Sequence, residues 1–525
     1  MHYDDLEWHW LPYMKTLLRS LFVFHFTFFI LLFGEQSAPP VVSLSNPNVL
    51  FIAVDDLNDW VGFMGGYSGQ AKTPNLDRLA KMGTAFTNAH TASPVCCPSR
   101  VAVLSGQLPT TSGIYSNRHW WKPNLPDLVT IPAHFRANGY RTVGAGKIFH
   151  HSVGNNPPEC WDDFQRLDFF DDAFARKQSD KFPFVHDEAV PDDFPFSGIE
   201  LYSDEVDWAG LDKPESEFDD ARAAQYGIDF LNSHSGEPFF LACGFFRPHM
   251  PWYFPKKYLD LYPLDQIEVP ADLPEDLDDV PEAGKQLAMK KYVDMKKVRD
   301  AGEWATAIQH YLASISFMDA QLGKLLDALE QSPHFENTVI VLWSDHGWHL
   351  GEKQHWHKRT LWEETTRVPL IVVAPQVGGP NQVCARPASL LDLFPTLVEL
   401  CGIPLVSGQA MDGVSLVPWL LDPAKHRTRN AITVHELQHM SVRSNQYRYI
   451  RYIDGSEELY DLFKDPNEWD NLIGDPSFEQ IRKGLSADFP KQFAPSAKSY
   501  TQFEFDPHAY TWTDKKTGAV VSGSR

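Results

Sequence analysis

Two adjacent cysteines, Cys96 and Cys97, begin the segment CCPSRVAVLSG, in which Pro-Ser-Arg leads into an apolar run that predicts a helix. Thiols at such a position could form half of a disulfide, bind a metal, act as a nucleophile or simply be buried. The chain holds 6 cysteines in 525 residues and no C-x-x-C pair. This usage argues against a disulfide scaffold and against a metal–thiolate cluster.

Acidic and imidazole side chains follow two apolar runs that predict strands. Asp55 and Asp56 follow LFIAV, and Asp345 and His346 follow VIVLWS. If both strands deliver these side chains to one edge of a sheet, the ligands are mostly oxygen atoms, which favours Ca²⁺ or Mg²⁺. Taken singly, either pair could instead cap a helix or form a turn.

Three further histidines, His349, His355 and His357, follow His346 in the segment DHGWHLGEKQHWHK and raise the alternative of zinc. Their spacing matches no standard zinc motif, and no cysteine accompanies them. We therefore expect most of them to be polar loop residues.

The elements that must position these groups alternate between strand and helix patterns. NVLFIAV, FFLACGFF, TVIVLWS and PLIVVAP predict buried strands, and a long helix is expected over residues 303–330. This alternation predicts an α/β fold with a large, mostly parallel central sheet flanked by helices. In such sheets the site lies beyond the carboxyl ends of the strands. A composition change predicts a catalytic domain at 39–430 and a smaller C-terminal α+β domain at 431–525.

Charge and the N-terminal segment indicate the kind of substrate and the location. The formal net charge of −23 argues against a nucleic-acid partner, which would need clustered cations. An anionic substrate must therefore be held by a local pocket. Residues 14–38 have a basic start, an apolar run and a small-residue exit, which predicts a signal peptide and a secreted or periplasmic protein. An N-terminal membrane anchor is the alternative.

The pentapeptide CCPSR matches C-x-P-S-R, the signature in which type I sulfatases convert the first cysteine to formylglycine. The blocks TPNLDRLAKMGTAFTNAH, GYRTVGAGKIFH, GFFRPHMPW and WSDHGWHLGEKQHWHK occur in the order found in that family. The chain resembles the iduronate-2-sulfatase branch most. The resemblance implies an alkaline-phosphatase-like sulfatase fold, with Cys96 as the modified residue and Cys97 as the free x position.

The same resemblance implies a metal site and a maturation partner. The metal would be Ca²⁺ or Mg²⁺, and Cys96 would join it as formylglycine made by a formylglycine-generating or other sulfatase-maturing enzyme. The implied ligands are Asp55, Asp56, Cys96, Asp345 and His346.

The family's catalytic roles carry over position by position. Arg100 would hold the hydrated aldehyde, while Lys147 and Lys358 would hold the sulfate. His249 would protonate the departing alcohol, and His150 would assist the release of sulfate in the second step. These roles are what the resemblance implies, since the spacing alone assigns none of them.

Arg247 stands where the iduronate branch is expected to have lysine. A guanidinium can pair bidentately with a carboxylate, so Arg247 is the candidate contact for a sugar carboxylate, with a structural arginine as the alternative.

The expected function is a secreted sulfatase acting on carbohydrate sulfate esters, including 2-O-sulfated uronic acids. A phosphomonoester or phosphonate-ester hydrolase on the same fold is the second hypothesis. A binding protein that has lost activity is the third, and the intact set of site residues argues against it.

Overall fold

The computed structural model describes residues 46–152, 154–166, 196–199, 207–271, 273–289 and 295–524. The expected signal peptide at 14–38 lies outside the described residues. Within the described ranges, none of the helices has both the length and the apolar character needed to span a bilayer.

Strands form where the sequence has short runs of β-branched and aromatic residues. In the described part of the chain they are β1 (Asn48–Val54), β2 (Thr84–Phe86), β3 (Ala89–His90), β4 (Arg141–Gly146), β5 (Asp163–Gln165), β6 (Trp208–Leu211), β7 (Phe239–Phe245), β8 (Trp252–Pro255), β9 (Thr338–Ser344), β10 (His349–Leu350), β11 (Trp356–His357), β12 (Arg367–Val368), β13 (Leu370–Val373), β14 (Gln382–Cys384), β15 (Ala388–Ser389), β16 (Ala431–His435), β17 (His439–Arg443), β18 (Tyr447–Arg451), β19 (Glu457–Asp461), β20 (Phe503–Asp506), β21 (Thr511–Asp514) and β22 (Val520–Ser522).

The α-helices lie mainly in the longer connections between these strands. The α-helices of the described residues are α1 (Pro74–Met82), α2 (Cys96–Ser105), α3 (Pro109–Ser112), α4 (Trp121–Asn124), α5 (Ile131–Ala137), α6 (Asp219–Ser233), α7 (Glu282–Met289), α8 (Met295–Asp300), α9 (Trp304–Gln331), α10 (Glu363–Thr366), α11 (Leu393–Cys401), α12 (Val417–Leu421) and α13 (Glu479–Ser486).

The central sheet has eight strands in the order β14, β2, β13, β9, β1, β7, β4 and β5. All neighbours pair in parallel except β13, which runs antiparallel to both β2 and β9. The expected mostly parallel sheet is therefore confirmed, with one reversed strand. Between β9 and β13 the chain has three short strands, β10 to β12, and one short α-helix, α10. Antiparallel neighbours need no long helical crossover.

The long helix α9 covers one face of this sheet, as its apolar stripe predicts. Ile308, Tyr311, Ile315 and Leu322 on that stripe are fully buried. Burying each such side chain contributes about 1.5–3 kcal/mol relative to leaving it exposed. The stripe therefore explains why the helix lies where it does.

A smaller antiparallel sheet, β16–β17–β18–β19, follows the central sheet in the chain. It begins at Ala431, where the second domain is expected to start, and its core residues Val442 and Tyr449 pack in one cluster with Ala102 of α2. The described residues from 46 onward belong to one compact unit. The boundary between 39–430 and 431–525 therefore stays a prediction.

Buried ion pairs also join this smaller sheet to the short helix α10. The guanidinium of Arg448 is fully buried, and it pairs with Glu363 and, at 2.7 Å, with Glu468. Arg443 adds a contact of 3.1 Å to Glu363. Burial alone would raise the pKa of Glu363, but Arg443 and Arg448 hold it well below its usual range.

Replacing Arg448 by Ala is expected to lower the free energy of unfolding by about 3–5 kcal/mol, because it removes a cationic partner from two buried carboxylates, Glu363 and Glu468. Equilibrium unfolding in urea measures this loss. The matched control is Arg118→Ala, since Arg118 is exposed and its loss should change stability by about 0.5 kcal/mol or less. Equal stability of the two variants would contradict the role of Arg448.

Candidate active site

Four neighbouring parallel strands end at the same edge of the central sheet, and each is followed by polar residues. Asp55 and Asp56 follow β1, Lys147 follows β4, and Asp345 and His346 follow β9. The loop after β7 carries Arg247 and His249 to the same edge. The structure thus brings together the groups that the strand ends predict.

Cys96 is the first residue of α2 and is buried. Its Sγ lies 3.1 Å from Nζ of Lys358 and 3.3 Å from Nε2 of His346. The neighbouring thiol of Cys97 instead donates to the backbone carbonyl of His119 at 3.3 Å, and burial raises the pKa of that thiol. The two cysteines therefore occupy different environments, and Cys96 alone faces the polar cluster.

Potential metal ligands converge on Cys96. One ligand atom from each of four residues lies within 4.8 Å of all the others, and these residues are Asp55, Cys96, Asp345 and His346. Oδ2 of Asp56 is a buried oxygen without a hydrogen-bond partner, and burial raises the pKa of this carboxyl group to about 7. A buried carboxyl group with an unpartnered oxygen is stabilised in its ionised form by a further cation. The donor set therefore fits a hard divalent metal.

The backbone at Asp56 supports this convergence. Its φ of +59° lies in the left-handed region, which is sparsely populated for residues other than glycine and often marks a functional site. The backbone N–H of Asp56 donates to Oδ1 of Asp345 at 3.1 Å, and so does the N–H of His346 at 3.0 Å. These bonds orient the carboxylate of Asp345 within the group.

The three histidines that raised the alternative of zinc lie elsewhere. Nε2 of His349 contacts Thr360 at 2.9 Å, and both ring nitrogens of His355 meet backbone carbonyls. The ring of His357 packs on Trp348 with centroids 4.2 Å apart. Among the described residues, the groups that could hold a metal contain none of these three.

Three buried cations balance the charge of the three carboxylates. Arg100 spans Asp345 at 2.9 Å and Asp55 at 3.1 Å, and Lys147 also pairs with Asp55. Lys358 pairs with Asp56 at 2.7 Å. A site without net charge that gains a dication becomes strongly attractive to an anion in this dry environment.

The pKa values of these ion-pair members follow from their contacts. Burial alone would lower the pKa of Arg100 and of Lys358, but their carboxylate partners raise both above the ordinary range. Burial alone would raise the pKa of Asp55, but Lys147, His249 and Arg100 hold it well below its usual value. Arg100 and Lys358 therefore stay cationic, and Asp55 stays anionic.

Two histidines flank the cluster. Nε2 of His249 lies 3.9 Å from a carboxylate oxygen of Asp55 and 3.9 Å from one of Asp56. The ring of His150 stacks on His151 with centroids 4.4 Å apart, and His151 meets His249 edge-on at 5.8 Å. Burial lowers the pKa of both His150 and His249 well below the usual value for histidine. The positive charge of Lys147 has the next largest effect, in the same direction.

Arg247 is buried beneath the loop that carries His249. Its Nε donates to the carbonyl of Tyr253 at 2.7 Å, and Nη1 donates to the carbonyl of His249 at 3.4 Å. Its backbone N–H donates to Asp220 at 3.0 Å. These bonds favour the structural alternative for Arg247, an arginine that holds the loop, over the expected contact with a sugar carboxylate.

Sequence reasoning missed the residues that support His150. His151, Ser152 and Asn155 all lie next to it or on the loop that follows it. The doubled histidine in FHHS was a weak signal for the first of them. Nothing in the sequence marks Ser152 or Asn155, because their contacts depend on how that loop folds back.

Comparison with known proteins agrees with this geometry. A family model described as Sulfatase matches residues 47–403, and one described as N-sulphoglucosamine sulphohydrolase, C-terminal, matches residues 351–494. The chain is 36% identical over 498 residues to a protein named Sulfatase from Formosa agariphila, covering 92% of this chain and 93% of that one. It is 32% identical over 402 residues to iduronate 2-sulfatase from Homo sapiens, covering 68% and 69%.

A solved structure shares the fold. Phosphonate monoester hydrolase of Agrobacterium radiobacter superposes with a TM-score of 0.66 at 20% identity, covering 88% of this chain and 98% of that chain. The expected alkaline-phosphatase-like sulfatase fold and the resemblance to type I sulfatases are both confirmed. The Sulfatase family model covers every strand of the central sheet. The chain therefore belongs to the sulfatase family and hydrolyses sulfate esters.

Proposed function

We propose that this sulfatase acts on sulfated carbohydrates, with 2-O-sulfated uronic acids as the substrate class, outside the cytoplasm. The observation that carries the proposal is the position of Cys96, whose thiol lies within the ligand group and against a buried lysine. The identity to iduronate 2-sulfatase supports the substrate class. The signal-like segment at 14–38 supports the location.

The metal would be Ca²⁺ or Mg²⁺, held by Asp55, Asp56, Cys96, Asp345 and His346. We further propose that a sulfatase-maturing enzyme converts Cys96 to formylglycine. The hydrated aldehyde would supply an ionised hydroxyl as the nucleophile, and the metal would act as a Lewis acid for the sulfuryl oxygens. The mainly carboxylate donor set and the unpartnered oxygen of Asp56 support this metal.

Buried cations of the chain would bind and orient the sulfate group. Lys147 and Lys358 carry ammonium groups beside Cys96 and the carboxylates. Arg100, which would hold the hydrated aldehyde, has its guanidinium fixed between two carboxylates and two backbone carbonyls. Charges fixed in place before the reaction stabilise the developing negative charge without reorganisation.

His249 would protonate the departing alcohol. Its Nδ1 bonds to the carbonyl of Met250, which can only accept, so Nδ1 carries a proton. Nε2 is then the nitrogen that exchanges a proton, and it is the one that lies toward the two carboxylates of the metal group. A positioned acid of this kind contributes about 10²–10⁴-fold to rate.

The substrate class is tested by comparing sulfate release from a 2-O-sulfated uronic acid disaccharide, a 6-O-sulfated glucosamine, an aryl sulfate and an aryl phosphate. We expect the highest kcat/KM on the sulfated uronic acid and only slow release from the phosphate. Activity confined to neutral sulfated sugars would remove the uronate assignment. Faster turnover of aryl phosphate or phosphonate would favour the phosphorus-ester hydrolase instead.

The role of Arg247 is tested by replacing it with Ala. Because its hydrogen bonds hold the loop of His249, we expect kcat to fall by about tenfold on both the sulfated uronic acid and the aryl sulfate, the loss of about one hydrogen bond to a charged group. A loss confined to the sulfated uronic acid would contradict the loop role and establish the carboxylate contact.

A further inference from the structure

His150 lies on a loop, residues 147–157, whose described part contains no helix or strand. The beginning of this loop is fixed by Arg100, because Nη1 of Arg100 donates to the backbone carbonyls of Lys147 and Ile148. A loop holds a catalytic side chain in place only where rigid neighbours fix both of its ends. The contacts at the far end therefore decide how well His150 is positioned.

The far end of the loop is tied to the three-stranded sheet β20–β21–β22, which we call the C-terminal sheet. This sheet follows residue 494, the last residue that either family model matches. The hydroxyl of Tyr510, between β20 and β21, donates to the backbone carbonyl of Asn156 at 2.6 Å. The guanidinium of Arg166 donates to the same carbonyl at 3.0 Å and lies over the ring of Tyr510, 5.0 Å from its centroid.

Gly154 shows how closely the C-terminal sheet packs against the loop. Its φ of +85° lies in the left-handed region, which glycine adopts without steric cost. A Cβ atom at this residue would lie 2.9 Å from Nε1 of Trp120 and 2.9 Å from Nε1 of Trp512, too close for an ordinary contact. Both indoles belong to the aromatic core of the C-terminal sheet, together with Phe503 and Phe505. The backbone of the loop is therefore held against two packed rings.

We propose that the C-terminal sheet positions His150 for its step in sulfate release, with Tyr510 and Gly154 as positioning residues. Both act through the backbone of the loop, since Tyr510 binds a loop carbonyl and Gly154 lets the loop lie against the indoles. Misplacing a catalytic group by about 1 Å can cost about 10²-fold in rate. The role of His150 rests on the proposed function, whereas the attachment of the loop to the sheet does not.

The hydrogen bond is tested by Tyr510→Phe, which removes the hydroxyl that donates to Asn156 and keeps the ring. We expect kcat for an aryl sulfate to fall about tenfold, the scale of one lost hydrogen bond. The matched control is Tyr115→Phe, because the hydroxyl of buried Tyr115 also donates to a backbone carbonyl, that of Ala494 at 3.0 Å, outside the loop. Thermal unfolding shows that both variants are folded. Equal kcat of the two folded variants would overturn the proposal.

A double-mutant cycle with His150→Ala separates positioning of His150 from a general loss of structure. Tyr510→Phe should lower kcat about tenfold in the parent chain and have little effect where residue 150 is already alanine. An equal loss in both backgrounds would overturn the proposal, because the hydroxyl would then act independently of His150. Normal kcat in His150→Ala alone would refute the role of His150 and the proposal with it, so the two failures are distinguishable.

Gly154→Ala tests the second contact. The added Cβ must displace either an indole or the loop, so we expect kcat to fall by about 10²-fold. The matched control is Gly455→Ala, because Gly455 has the same φ of +85° and open space where its Cβ would lie. This control carries the same backbone strain without the contact and should keep nearly normal kcat. Equal kcat of the two folded variants would contradict the role of Gly154.

Discussion

Replacing Cys96 by Ala is expected to abolish sulfate release, with kcat reduced by about four orders of magnitude or more, the size of effect seen when a nucleophile is removed. The physical reason is that alanine cannot become formylglycine and has no group that could attack sulfur. Cys96 also touches Lys358 and His346, so the loss removes a contact of the ligand group. Initial rates on an aryl sulfate at saturating concentration measure the effect.

The matched control is Cys97→Ala. The thiol of Cys97 makes weak contacts with the backbone carbonyl of His119 at 3.3 Å and with Oδ1 of Asn155 at 3.8 Å, and among the described residues it lies outside the groups that could hold a metal. We expect this variant to keep nearly normal kcat. An inactive Cys97→Ala beside an active Cys96→Ala would show that the wrong cysteine has been assigned.

Replacing Asp345 by Ala is expected to remove bound metal and to lower kcat by about three orders of magnitude, since a metal ion supplies several kcal/mol of transition-state stabilisation. Asp345 belongs to the ligand group and accepts hydrogen bonds from Arg100, Asp56 and His346. Elemental analysis of the purified protein should find Ca²⁺ or Mg²⁺ in the parent chain and little in the variant.

His355→Gln is the control for the competing zinc site. His355 bonds to two backbone carbonyls away from the ligand group, so its loss should leave metal content and turnover nearly unchanged. Because Asp345→Ala also leaves Arg100 buried beside fewer carboxylates, its thermal unfolding must be followed in parallel. Stoichiometric zinc that disappears in His355→Gln would contradict the proposed metal.

The strand ends of the site could be predicted from the sequence because each lies at a sharp change from apolar to polar residues. NVLFIAV followed by Asp55 and Asp56 gives a buried strand and then two candidate ligands, and TVIVLWS followed by Asp345 and His346 repeats the pattern. Parallel pairing of β1 with β9 then places both ends at one edge. The convergence of these four side chains follows from local pattern and topology, whereas Cys96 joins them from the start of α2.

Other features depend on contacts that no local pattern encodes. The direction of β13 is set by the path of the chain between residues 345 and 369. The apolar run of β13 could form a parallel or an antiparallel strand equally well. From the sequence, the guanidinium of Arg247 could face either a substrate or a backbone carbonyl. Only the fold of the loop places it against the carbonyl of Tyr253. Ser152 and Asn155 support His150 through a turn of the chain that the sequence does not reveal.

The most direct test of the central claim joins the state of Cys96 to activity. The protein is produced with and without a co-expressed sulfatase-maturing enzyme, and peptide mass spectrometry measures the fraction of Cys96 in which oxygen has replaced sulfur and two hydrogens. The same preparations are assayed for sulfate release from an aryl sulfate. We expect kcat to rise in proportion to the converted fraction and to vanish at zero conversion. Full activity in protein whose Cys96 is unmodified would contradict it.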